Sequence, residues 1–144
     1  MPRTSRDLVE IEAYAHATED PSKVEEAVRN LLLETVRDRI KLEKTTLRGH
    51  YGNPIIVYRG SVENVSEEFL LSLIRRMSPE DRVSLKTSLD AHLGKHNVLY
   101  LRFNKQEAYL GRLKLDQIDA ICLRLKLKPH VFNRLPKLIE SEGG

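Results

Sequence analysis

The chain carries one cysteine, Cys122, and no tryptophan in 144 residues. A single thiol excludes an internal disulfide framework, so a reducing cytoplasm is the expected compartment. A structural zinc site needs more ligands than the sequence groups together. His92 and His96 stand four apart, but Gly94 interrupts the helix that would align them, and no second cysteine completes a set. No metal and no cofactor is therefore expected. No apolar run approaches the ~20 residues of a membrane span, so no membrane partner is expected. The opening residues, Met1 to Arg6, lack the apolar core of a secretory signal. The glycine loops of phosphate-binding and dinucleotide-binding proteins are missing, as is the aromatic pair of an RNA-recognition motif.

Catalytic sets are missing too. His50 and His130 have no assigned carboxylate partner, and Asp81, Asp116 and Asp119 read as caps or turn residues. Cys122 lies mid-strand beside cations, where a lone cysteine reads as a small strand residue rather than a nucleophile. The expectation is a protein that is not an enzyme.

What is present is an ordinary globular balance, 40% apolar and 31% charged. This length suits one domain with a real core. Residues 1–144 read as a single domain, with 1–6 and 141–144 expected to be flexible. The net charge of +3 is unevenly placed. Residues 1–93 hold 14 basic and 16 acidic side chains, a net −2; residues 94–144 hold 10 and 5, a net +5.

Periodicity supplies the elements. Leu8 to His16 alternates, with Val9, Ile11, Ala13 and Ala15 on one face, so it reads as a half-buried strand. Asp20-Pro21 begins a helix whose stripe is Val24, Ala27, Val28, Leu31 and Leu32. Arg39–Leu47 and Ile55–Tyr58 read as two strands of a hairpin. Two helices follow. The first is capped by Asn64 or Ser66 and carries Phe69, Leu70, Leu73, Ile74 and Met77. The second starts at Ser78-Pro79 and carries Leu85, Leu89 and Leu93 up to a stop at Gly94. Lys95-His96-Asn97 is a turn, Val98–Phe103 a strand, and Asn104 caps a short helical turn closed by Gly111. Arg112–Leu115 and Ile121–Lys128 alternate as strands. A last helix from Pro129 meets a kink or break at Pro136. Without regular βαβ alternation, this order (β-α-β-β-α-α-β-β-α) indicates an α+β fold: a mostly antiparallel sheet with helices packed on one face.

Two features point to binding. The first is the hairpin loop Arg48-Gly-His-Tyr-Gly-Asn-Pro54, which displays His50, Tyr51 and Asn53. Its plain alternative is a turn made by Gly49, Gly52 and Pro54 with solvated passengers. The second is a cationic row, Arg124, Lys126 and Lys128, projecting from one face of a strand about 7 Å apart. Arg112 and Lys114 extend it if their segment pairs nearby, and Arg102 lies one strand over. Such a row can neutralise phosphates; equally, lysines on a strand guard against edge-to-edge aggregation. Tyr51, Tyr58, Tyr100, Phe103 and Tyr109 are candidates for base stacking, with Tyr58 and Phe103 better placed in a core. The row and the loop are expected on one contiguous positive face.

Three phrases together resemble a known family: His16-Ala-Thr-Glu-Asp20, Gly49-His-Tyr-Gly-Asn-Pro54, and Leu99-Tyr-Leu-Arg-Phe-Asn-Lys-Gln-Glu-Ala-Tyr109. Over residues 8 to 135 the chain resembles the archaeal family of predicted exosome subunits or RNA-binding proteins, domain of unknown function 54. Asn104 departs from the family's Asp, which affects only a helix cap. The resemblance implies a ribosomal-protein-like α+β fold, archaeal origin, and RNA as partner, with links to exosome, ribonuclease P and ribosomal proteins. By position it adds Lys105 and Gln106 to Arg102 as contacts. The expectation is a non-catalytic protein that binds structured or ribosomal RNA. Arg48, His50, Tyr51, Asn53, Arg102, Lys105, Gln106, Arg112, Lys114, Arg124, Lys126 and Lys128 would form its surface. The alternative is a homodimeric scaffold that docks protein through an exposed sheet edge.

Overall fold

A computed structural model describes residues 7–142. The expected flexible stretch 1–6 lies outside them, as do 143 and 144. Strand β1 (Leu8–Ala15) sits inside the sheet because its alternation gives it one wholly apolar face: Val9, Ile11, Ala13 and Ala15 are all buried. It pairs antiparallel with β3 (Pro54–Glu63) on one side and β6 (Ile121–Lys126) on the other. Strand β2 (Glu43–Arg48) adds outside β3, β5 (Val98–Phe103) outside β6, and the two-residue β4 (Leu93–Gly94) closes the far edge. The order is β2-β3-β1-β6-β5-β4, antiparallel throughout.

Helices α1 (Pro21–Leu31), α2 (Ser66–Arg76), α3 (Pro79–Thr87) and α6 (Leu135–Glu142) cover the apolar face, with short α4 (Lys105–Tyr109) and α5 (Pro129–Phe132) beside them. Val24, Ala27, Val28 and Leu31 of α1, and Phe69, Leu70, Leu73 and Ile74 of α2, meet Leu99, Leu101, Leu123 and Leu125 of the sheet in one core. Removing a side chain such as Phe69, fully buried, would cost about 3–5 kcal/mol. The other sheet face is left open. Glu10 and Glu12 of β1, Arg59 of β3, Tyr100 and Arg102 of β5, and Arg124 of β6 lie on it.

Local signals place most boundaries. Asp20 accepts from the Ser22 amide, Ser78 from Asp81, and Asn104 from Glu107. Pro136 falls in the first turn of α6, where a missing N–H costs little, and α5 and α6 are separate helices.

Four details differ from the sequence expectation. The run from Arg39 is not extended until Glu43; a 3-10 turn at Glu34–Val36 and a bend bury Val36 and Ile40, and the Ile40 amide bonds back to Val36. Helix α2 has no side-chain cap of its own, for Asp7 reaches across to accept from the Ser66 amide at 2.8 Å. Helix α3 stops at Thr87 rather than Leu93. The Ser88 hydroxyl turns back to the Ser84 carbonyl at 2.7 Å, and a 3-10 turn (Leu89–His92) leads into β4. Gly94 is thus a strand residue lying under the Tyr100 ring, whose Cε2 would stand 2.5 Å from an added Cβ. Finally, Arg112–Leu115 is not a strand. It makes only isolated bridges, Leu113 to Met77 and Leu115 to Phe103.

Candidate functional site

The hairpin loop between β2 and β3 is a built structure. Gly49 N–H donates to Asn53 O at 2.7 Å, Gly52 N–H to Gly49 O at 2.9 Å, and the Arg48 guanidinium to Gly52 O at 3.1 Å. Gly52 has φ +80°, which a residue with a Cβ adopts only under strain. These bonds hold His50 and Tyr51 outward, edge to face at 4.8 Å between ring centroids. Tyr51 is 87% exposed.

The β1–α1 loop stands beside this tip. His16, Ala17 and Thr18 face Gly49, His50, Tyr51 and Asn53 across a cleft of about 300 Å³. On the loop's other side, Thr18, Glu19 and Asp20 face Lys105, Gln106 and Tyr109 across a second cleft of about 470 Å³. The first two phrases that carry the family resemblance and the β5–α4 end of the third, far apart in the chain, therefore assemble at one end of the sheet.

Lys105 ties this end together. Its ammonium lies 2.8 Å from Tyr14 O, 2.9 Å from Glu19 Oε1 and 3.0 Å from Asp119 Oδ1, and its side chain is 8% exposed. Three protons meet three oxygens, so Lys105 is turned inward and holds loops rather than facing solvent, contrary to its expected place among phosphate contacts. His16 Nε2 completes the knot, 2.9 Å from the same Asp119 oxygen. Burial alone would raise the Asp119 carboxyl, but hydrogen bonds from Lys105 and His16 outweigh it and hold it below the ordinary range. His16, Glu19 and Asp119 bring ligand atoms within 4.8 Å of one another, and the Lys105 cation bonds to both carboxylates. Sequence reasoning missed these three: Glu19 read as part of a helix start, and Asp119 as a turn residue.

The cationic row sits elsewhere. Lys126 pairs in register with Leu8, whereas the loop flanks the Ala15–Ile56 end. The run from Ala15 to Leu8 covers about 23 Å at 3.3 Å per residue. Row and loop thus stand at opposite ends of the sheet rather than on one contiguous face, because β6 enters at the loop end and leaves at the other. The row is also partly neutralised. Arg124 is 2.6 Å from Glu10, and the Tyr100 hydroxyl and Glu10 together favour its charged form. Lys128 is 3.9 Å from Asp7. Next along the open face, Arg59 is 2.5 Å from Glu12, which also accepts from Tyr14.

Arg112 does not extend the row. It is exposed beside α4 and pairs with Glu107 at 3.2 Å. Lys114 is exposed on the same irregular segment. Among the described residues, Arg102 on the open face and Lys126 at its far end make no ion pair within 4.0 Å. Gln106 is exposed on the second cleft. Tyr58 and Phe103 are fully buried core residues, while Tyr100 and Tyr109 keep 40% and 36% of their surface. Among the described residues no helix is long and apolar enough to cross a membrane.

Comparison with known proteins agrees with this arrangement. A family model described as RNA binding matches residues 8–127. The chain is 35% identical over 124 residues to RNA-binding protein PAB1135 of Pyrococcus abyssi, covering 83% of this chain and 80% of that protein. It is 34% identical over 116 residues to an uncharacterised protein of Methanocaldococcus jannaschii, covering 78% of each. A crystal structure from Sulfolobus solfataricus, of the DUF54 family, superposes with TM-score 0.79 at 25% identity, covering 93% of this chain and 98% of that one. With its model matched across the whole sheet and both clefts, the chain belongs to this RNA-binding family.

Proposed function

We propose that the chain is a non-catalytic RNA-binding protein that engages structured RNA at the loop end of its sheet. The observation that carries this reading is the assembly of the β1–α1 loop, the hairpin tip and the β5–α4 segment around two clefts. Tyr51 and His50 offer rings to unpaired bases. Arg48, Asn53 and Gln106 offer hydrogen bonds to bases and sugar, with Arg102 nearby for phosphate. Lys126 and Lys128 serve as a distant phosphate contact for an RNA long enough to run along the open face. Arg124 joins them by exchanging Glu10 for phosphate, since an exposed ion pair is worth only ~0–1 kcal/mol. Arg112 and Lys114 lie at the rim as secondary contacts.

A titration of labelled structured archaeal RNA at two salt concentrations tests the reading. Affinity should fall as salt rises; no binding at low salt sinks it. Family likeness alone supports the finer proposal that the RNA belongs to an exosome, ribonuclease P or ribosomal assembly in the cytoplasm. Crosslinking and sequencing of bound RNA from native cells would decide among these.

A second reading, a homodimeric scaffold, is favoured by one observation. Edge strand β2 has all six residues exposed and, among the described residues, offers an unpaired backbone edge. Light scattering on the eluting protein tests it, and a monomer at micromolar concentration would overturn it.

A further inference from the structure

We infer that the cleft between the start of α1 and helix α4 is a subsite for a single unpaired guanine. The inference rests on the RNA-binding reading and gives that reading a base preference. The cleft is about 470 Å³, inside the ~300–1,000 Å³ range of small-ligand sites. Its apolar part is unusual for a surface. Leu110 is 60% exposed and Tyr109 36% exposed, side by side at the end of α4. The Leu110 side chain and the exposed part of the Tyr109 ring, the rest of which lies under Lys23, offer a planar base an apolar surface.

The polar part selects against phosphate. Glu19 and Asp20 line the cleft and are balanced by Lys23 and Lys105, so the lining offers a phosphate no net positive charge. Lys105 has its three protons committed to Tyr14, Glu19 and Asp119. Lys23 lies over the Tyr109 ring, 5.7 Å from its centroid. The carboxylates retain acceptor capacity. Asp20 uses Oδ1 for both the amide and the hydroxyl of Ser22, and Glu19 uses Oε1 for Lys105 and the His16 amide. Among the described residues, Glu19 Oε2 holds no hydrogen bond, and the Asp20 carboxylate, which the Lys23 amide also approaches, keeps a lone pair on Oδ2.

A ligand for this site therefore needs a flat ring and adjacent donors. Guanine alone of the four bases presents two neighbouring donors on its pairing edge, N1–H and the N2 amino group. Adenine, cytosine and uracil each set an acceptor against the carboxylates. The Gln106 amide, exposed on the same cleft, can donate to O6. Lys23 is placed to meet the backbone phosphate of the flipped nucleotide.

The test is fluorescence anisotropy with labelled hexauridylate, the same strand with one central guanosine, and the same strand with inosine, which lacks the N2 amino group. Guanosine should bind about tenfold more tightly than uridine or inosine. Asp20→Asn keeps the helix cap while weakening the acceptor, and Gln106→Ala touches no fold contact. Each should reduce the ratio of guanosine to uridine affinity. Equal affinity for the three strands, or a preference that survives both substitutions, overturns the subsite and leaves the RNA reading standing. No binding of any strand or of structured RNA overturns both.

Discussion

At the loop end of the sheet, Lys105 has a carbonyl and two carboxylates around its ammonium; at the other end, Lys126 is partly exposed with no ion pair among the described residues. Both are lysines on a chain of net charge +3, and sequence reading gave them one role. Their surroundings give them different ones. The loop end is made of rings, amides and locked turns, with Lys105 as its internal cation. The far end offers solvent-facing charge and little shape. In RNA recognition these are separable contributions: shape and stacking select, while unpaired cations add affinity that salt removes.

The sharpest way to break this comparison is to remove the internal lysine. Lys105→Met leaves Glu19 and Asp119 facing each other without a cation. It should lower stability by about 2–3 kcal/mol in chemical denaturation, below the loss for a fully buried pair because both acids keep solvent contact. A stability change under 0.5 kcal/mol would mean that the knot does not hold the loops. Next in size is Tyr51→Ala, which should weaken RNA binding by about 1–3 kcal/mol while thermal stability and salt dependence stay unchanged. If its main effect were on the salt slope, the assigned division between the two ends would be wrong.

Lys126→Glu with Lys128→Glu should act in the opposite sense. The slope of log affinity against log salt should fall by about two, with little change in base preference. The smallest effect is expected from Glu10→Gln, which frees Arg124 on the open face. Stability should move by less than about 1 kcal/mol and RNA affinity should rise at low salt; unchanged affinity would leave Arg124 outside the RNA surface.

Acid provides a further contrast. Asp119 is depressed by its Lys105 and His16 partners. A depressed carboxyl adds stability that is present above its unfolded pKa and lost as pH falls through the folded one. The loss therefore comes below the ordinary carboxylate range. Hydrogen exchange of the amides at 16–20 should quicken there before that of β6, and simultaneous loss at both ends would argue against a local knot.

Much of the fold was legible because its signals are local. The alternation of Val9, Ile11, Ala13 and Ala15 marks β1, and Asp20-Pro21 and Ser78-Pro79 mark helix starts. Each depends on neighbours within one turn or one pleat. The misread elements are those settled by distant contacts. Asp7 caps α2 across 59 positions, and Gly94 is a strand residue because β5 pairs with it and Tyr100 covers it. The Arg112–Leu115 alternation has no partner strand among the described residues, so its period carries only isolated bridges.

The sequence by itself determined the α+β class, the one-sided core, the hairpin tip and the excess of charge late in the chain, because propensity and period act between near neighbours. Tertiary structure decided which cations are available. Lys105 and Arg124 look alike in sequence, but strand register sets Arg124 against Glu10, and the packing of α4 on α1 brings Lys105 to Glu19. A charge is neutralised or left free by groups within a few ångströms, and chain distance does not report that separation.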